Sequence, residues 1–260
     1  MPLARYLAQW YHVVLPELRG HGKSARSDAY SMPLLVADLN NVVEHFGFAQ
    51  FALIGHSLGG HVVTKYAALF SERVTALVVA EGLGPPERPN ENDEATQIQR
   101  YREMLIRLSP GSGNSKSLTA QNVAARLVAN NPRLAQSEAL RIAPHLIAQD
   151  SNGTQWAFDS KANSVFIGTS RETDARFWRA VSAPTCIISG ALSYEYWGGQ
   201  FSFADSDYTG RFAEGEMEAR TAEFQNAEHH WFAHSGHMIH YDEPEKFQHL
   251  CHTFLEQHYV

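Results

Sequence analysis

Among the residues of this chain, Ser57 and His237 have the types and surroundings best suited to chemistry. Gly55-His56-Ser57-Leu58-Gly59 has the form Gly-x-Ser-x-Gly. It lies between an apolar run at residues 51–54, read as a strand, and a helical run at residues 58–70. Where a strand turns sharply into a helix, a serine is pushed into the open in a strained backbone conformation. Glycines two residues to either side remove side chains that would collide with the crossing helix. The turn also aims the Leu58 backbone N–H, at the helix start, toward an oxyanion forming beside the serine. The bland alternative is a glycine-rich turn with a capping serine, but the strand-to-helix setting favours catalysis. A serine hydroxyl attacks at neutral pH only if a base takes its proton and later returns it to the leaving group. Fourteen histidines compete for that role. His237 fits it, because it follows the last expected strand, comes after the nucleophile in chain order, and has Gly236 before it to let the loop turn.

These groups need a scaffold, and the periodicity supplies one. Residues 11–16 read as a buried strand, followed by the turn-prone Arg19-Gly20-His21-Gly22-Lys23-Ser24. After Asp28 or Ser31 as N-cap, Leu35, Leu39, Val42, Val43 and Phe46 recur at helical spacing up to Gly47. In the run 58–70, Val62, Val63, Tyr66, Ala67 and Phe70 share one face, and residues 76–80 form the next strand. Strand and helix in alternation predict an α/β fold, with a mostly parallel sheet and helices on both faces. From about residue 85 the chain turns polar, with helical pieces at 95–108 and 119–129 and a Gly/Ser-rich loop at 109–117. Strands are expected again at 185–189 and 228–233, and a final helix at 244–257. The expected organisation is therefore a core of residues 1–84 and 180–260 interrupted by a mostly helical cap insertion, 85–179.

With the elbow in place, the chain resembles the α/β-hydrolase superfamily from its first helix to its C-terminus. Leu15-Pro16-Glu17-Leu18-Arg19-Gly20-His21-Gly22-Lys23-Ser24 is similar to the family's loop after the fourth strand, and Ser235-Gly236-His237-Met238 to its histidine loop. Glu17 stands where an Asp is usual, in a loop that is chiefly structural, and His21 is read as a loop residue. The resemblance implies a carboxylate behind the histidine, usually an Asp just past the preceding strand. Here that stretch ends Ser189-Gly190-Ala191-Leu192-Ser193, and a neutral serine cannot stabilise an imidazolium. Glu81, at the end of the strand after the elbow helix, is favoured, because a carboxylate ending a buried strand is costly without a partner. Some branches of the superfamily, including certain haloalkane dehalogenases, place their acid there. Glu195 is the alternative. The resemblance further implies three N-terminal strands and a second oxyanion N–H with no counterpart here, since residues 3–7 match the family's first helix. The chain is accordingly expected to be a weak catalyst or a poor folder, with residues 11–16 beside a gap or shifted against residues 51–54.

The implied activity is hydrolysis of a carboxylic ester or thioester through an acyl-enzyme, with other bonds (lactone, amide, C–C) or a catalytically impaired binding protein as alternatives. Trp156, Phe158, Phe166, Phe177 and Trp178 are candidates for an apolar pocket or, as the commoner fate of an aromatic, for the cap's own core; a second aromatic group lies at 194–197 with Phe201 and Phe203. Composition narrows the partners to a small molecule. A net charge of -7 without a block of like charges offers no footprint for nucleic acid and is weakly repelled by anionic membranes. There is no leader-like N-terminus and no run of about 18 apolar residues. Cys186 and Cys251 form neither a disulfide framework nor a metal-ligand pattern, so the expected compartment is the cytoplasm. His229, His230, His234, His237 and His240 cluster in sequence, but the elbow accounts for His237 without metal. No cofactor or metal is expected, and the oligomeric state is left open.

Overall fold

A computed structural model of the chain describes residues 2–88, 90, 93–108, 118–150, 153–201 and 208–259. In chain order its elements are α1 (Pro2–Leu7), α2 (Met32–Phe46), β1 (Phe51–His56), α3 (Leu58–Leu69), β2 (Val74–Ala80), α4 (Glu94–Leu108), α5 (Ala120–Asn130), α6 (Gln136–Ile142), β3 (Ile147–Asp150) and β4 (Gly153–Trp156). There follow α7 (Arg171–Ala180), β5 (Thr185–Gly190), α8 (Tyr194–Phe201), α9 (Glu216–Thr221), β6 (Ala227–Phe232), α10 (Ile239–Asp242) and α11 (Pro244–His258). The expected loop at 109–117 lies outside the described residues, as does Phe203.

The chain divides into two compact units. The first comprises residues 1–15, 39–89 and 168–260 and holds a sheet in the order β1-β2-β5-β6. Every adjacent pair in it is parallel, the arrangement that strand–helix alternation predicts. Ala76, Val78, Ala80, Cys186, Ile188 and Phe232 line one face of this sheet and meet Leu7, Ile239, Phe247, Cys251, Phe254 and Leu255. Phe247, Cys251, Phe254 and Leu255 recur along α11 at the spacing that makes one apolar stripe. Phe247, Phe254 and Leu255 each contribute about 1.5–3 kcal/mol by leaving water. On α3, Val62, Val63, Tyr66 and Ala67 are buried in the same unit.

The expected strand at residues 11–16 is absent: the segment is irregular and joins no ladder. Tyr11 and Val13 instead pack against the apolar cluster, and Tyr11 also meets the rings of His252 and Tyr259. Side-chain burial, which needs no ladder, is what holds the segment. Consequently β1 has β2 as its one neighbour among the described residues.

The second unit comprises residues 16–38 and 90–167, with α4, α5, α6 and an antiparallel β3–β4 hairpin. The loop following residue 16 is closed on itself. The Glu17 carboxylate accepts the Lys23 N–H at 2.7 Å, and Arg19 forms a two-pronged ion pair with Asp38 at 2.6 and 2.7 Å. His21 bridges to Phe158, which makes it a framework residue of this unit. Trp178 and Phe177, grouped in sequence with the insertion, lie on α7 of the first unit. There Trp178 is buried and stacks on Phe224, while Phe177 lies under the Lys65 ammonium.

Candidate active site

Ser57 occupies the step between β1 and α3 with φ 51°, a left-handed conformation that costs a non-glycine residue about 1–3 kcal/mol. Glycine is required at Gly55, where a Cβ would strike the Gly59 carbonyl, and at Gly60, where one would come within 2.7 Å of Gly82 Cα. At Gly59, where the sequence also predicts a clash, a Cβ would meet nothing within 4 Å. The turn is pinned from the sheet, where the Ser57 N–H donates to Ala80 O at 2.9 Å. Leu58 is the first residue of α3, so its N–H is among those a helix leaves without an intrahelical acceptor.

Glu81 also has φ 51°. Its N–H donates to Ile188 O at 2.8 Å, which extends the β2–β5 ladder one residue past the strand and fixes where the side chain starts. The Gly190 N–H donates to one carboxylate oxygen, Oε1, at 2.7 Å. The other oxygen, Oε2, lies 2.9 Å from His237 Nδ1, and His237 Nε2 lies 2.9 Å from Ser57 Oγ. The structure thus brings Ser57, His237 and Glu81 into one hydrogen-bonded line. Glu195 is exposed on α8, and the Nδ1 that it would have to reach is engaged by Glu81.

The loop bearing His237 is anchored at several points. Gly236 N–H donates to Asp242 at 2.7 Å, and Ser235 Oγ to Glu243 at 2.7 Å. His56, the residue before the serine, reaches the His237 carbonyl with Nε2 at 2.7 Å. Because a carbonyl only accepts, that ring nitrogen carries the proton. Tyr196 stacks on the His237 ring with centroids 4.0 Å apart and planes 5° apart, and Trp197 meets it edge-on. His240 packs against His56, so three imidazoles lie in contact.

Burial sets the protonation preferences. It pushes the Glu81 carboxyl above its ordinary range, opposed by the Gly190 N–H and the Trp197 indole. The same desolvation lowers His237 and so favours a neutral imidazole. It also brings His56 down to about 3, helped by the nearby His237, which keeps His56 a neutral donor. A neutral imidazole with Nδ1–H directed at a carboxylate leaves the Nε2 lone pair facing the serine hydroxyl, the tautomer a base requires.

The family model described as alpha/beta hydrolase fold matches residues 1–244. The chain belongs to the α/β-hydrolase fold family. A putative esterase/lipase of Haemophilus influenzae is 34% identical over 30% of this chain and 28% of its own length. A serine hydrolase-like protein of Danio rerio is 29% identical over 59% of this chain and 48% of its own. The chain therefore spans less than half the length of these two curated relatives. An esterase of Mycobacterium tuberculosis has the same fold, with TM-score 0.68 and 19% identity over 92% of this chain and 75% of that one. Among the described residues no helix is long and apolar enough to cross a membrane.

Sequence reasoning missed two contributors to the site. Gly190 acts through its backbone N–H, and no residue-type signal marks which strand end will face a carboxylate. His56 was visible only as the variable position of the elbow, and its tie to residue 237 spans 181 residues of chain.

Proposed function

We propose that this α/β hydrolase is a serine hydrolase that cleaves a carboxylic ester or thioester of a small apolar molecule through an acyl-enzyme. Ser57 Oγ attacks the carbonyl carbon as its proton passes to His237 Nε2, and the oxyanion gathers on the Leu58 N–H. The imidazolium so formed is stabilised by Glu81, which also holds the ring in its working tautomer. His237 then gives its proton to the departing alkoxide or thiolate as the C–O or C–S bond breaks. A water, deprotonated by the same nitrogen, attacks the acyl carbon and frees the acid and Ser57. The stretch of residues 85–179 that precedes α7 is proposed as a cap insertion, and the cytoplasm as the site of action.

The observation that carries this reading is the unbroken pair of 2.9 Å contacts joining Ser57 Oγ, both ring nitrogens of His237 and the Glu81 carboxylate. The negative net charge and the aromatic flank of Tyr196 and Trp197 favour an uncharged substrate. A fluorophosphonate probe together with a panel of aryl esters and acyl thioesters tests it. Labelling and turnover by the wild type, both lost in Ser57→Ala, are expected. A wild type that never labels would identify a catalytically impaired hydrolase-like binding protein. Turnover confined to lactones, amides or diketones would keep the serine and change the bond.

A further inference from the structure

We propose that Cys186, Glu228 and His230 form a binding site for a thiophilic divalent metal ion of the zinc type, built from residues outside the triad. In the parallel pairing of β5 with β6, Cys186 lies opposite Glu228 and Ile188 opposite His230. Side chains two residues apart on a strand share a face, so Glu228 and His230 stand together beside the Cys186 thiol. The sulfur, one carboxylate oxygen and one ring nitrogen all lie within 4.8 Å of one another. His230 Nε2 is 2.9 Å from Glu228 Oε1. A tetrahedral zinc ion holds S, N and O donors at about 2.0–2.3 Å, so small side-chain rotations bring all three to it.

The donor set and its charge select the ion. Sulfur and imidazole favour zinc-type ions over calcium or magnesium, which take oxygen ligands. On binding, the Cys186 S–H bond is replaced by an S–metal bond and one proton leaves to solvent. Thiolate and carboxylate then carry two negative charges against the ion's two positive ones, so the buried side of the site gains no net charge. Cys186 is buried, His230 half-buried and Glu228 exposed, which leaves an open side for entry and for a water as fourth ligand. The histidines alone did not suggest this site, because its sulfur comes from a strand 42 positions earlier in register. A bound ion would cross-link the two strands whose ends carry Gly190 and lead to the His237 loop.

The test uses the full chain, dialysed against a chelator and titrated with Co²⁺ and then Zn²⁺. One Co²⁺ per chain is expected, with strong near-ultraviolet thiolate-to-cobalt absorption that Zn²⁺ displaces. Cys186→Ser should abolish that absorption and Cys251→Ser retain it. His230→Ala, at the half-buried edge, should keep its circular dichroism and bind at least about tenfold more weakly. Zn²⁺ should raise the Tm of the wild type and not that of His230→Ala. Absence of saturable binding, or unchanged affinity and absorption in His230→Ala, overturns the proposal even if Cys186→Ser fails to fold. Binding without thiolate absorption would place the ion elsewhere and overturn the proposal.

Discussion

Two buried histidine–carboxylate pairs flank the elbow helix, and they are built to opposite ends. His61 Nδ1 lies 3.5 Å from Asp174, whose other oxygen takes the Lys65 ammonium at 2.6 Å. His237 and Glu81 are as deeply buried but have Ser57, the Gly190 N–H and the Trp197 indole for company, with no cation among the described residues. Burial pushes Asp174 up, yet His61 and Lys65 outweigh it, and the carboxyl ends below its ordinary value. For Glu81, burial prevails and the carboxyl ends above it. The same residue types thus make a settled ion pair that joins α3 to α7, and a pair held short of full charge separation. A buried carboxylate lacking a cation can still gain from an imidazolium formed during a reaction. One already neutralised by lysine gains little.

The largest expected effect separates the two pairs by activity. Ser57→Ala or His237→Ala should lower ester hydrolysis by about 10⁴–10⁶-fold, since members of such a line act as one unit. Thermal unfolding of both variants should stay near that of the wild type. Glu81→Gln should lower kcat by about 10³–10⁴-fold, because an amide can hold the wrong tautomer. Glu195→Gln should remain near wild type, and the reverse ranking would move the acid to Glu195. On the other pair, Asp174→Ala strands the Lys65 charge and should cost about 3–5 kcal/mol of stability, read by urea unfolding. The folded fraction should keep its kcat, and a loss as large as that of Glu81→Gln would erase the difference between the two pairs.

The two carboxylates should also respond to pH with opposite sign. Asp174, lowered in the fold, contributes stability that is present above the ordinary carboxylate range and lost as pH falls through its folded value. Glu81, raised in the fold, contributes stability that is full in acid and lost as pH rises through its folded value. Ionised Glu81 is the form that would serve the proposed base, so kcat/KM should fall on the acid side as the Glu81–His237 pair takes up a proton. In Glu81→Gln only the lowered His237 remains to titrate, and that acid limb should move to lower pH. A limb unmoved by the substitution would locate the titration elsewhere. Among these effects the smallest is expected from His56→Ala, which removes a donor to the His237 carbonyl. A loss of about 1 kcal/mol of stability and a modest drop in kcat, with KM unchanged, should follow.

How legible the molecule was depended on how local each cause is. The elbow, α2, α3, β1, β2 and α11 all announce themselves through spacing, because the burial that shapes them repeats every two or four residues along one segment. Residues 11–16 have the apolar content of a strand, but a ladder needs a neighbour that composition cannot name. The β3–β4 hairpin went unseen because its four-residue strands carry no clear alternation. Short α7 had a readable start, with Ser170 accepting the Thr173 N–H and acids in the first turn, yet its polar sequence led it to be grouped with the insertion. Glu81 was inferred from the cost of burying a charge, whereas the Gly190 and His56 bonds that complete its setting exist only through the strand order.

The tie from His56 to the His237 carbonyl also bears on when the protein can react during its own synthesis. Serine and base are separated by 180 residues, and the acid and base by 156. A chain growing from its N-terminus completes the elbow while β5, β6 and the histidine loop are still unmade. Until residue 237 has emerged and docked, Ser57 lacks the base proposed for it. If Ser57 is the nucleophile proposed above, it is dormant in a nascent chain, and reactivity should appear late and abruptly as the last parallel strands pair.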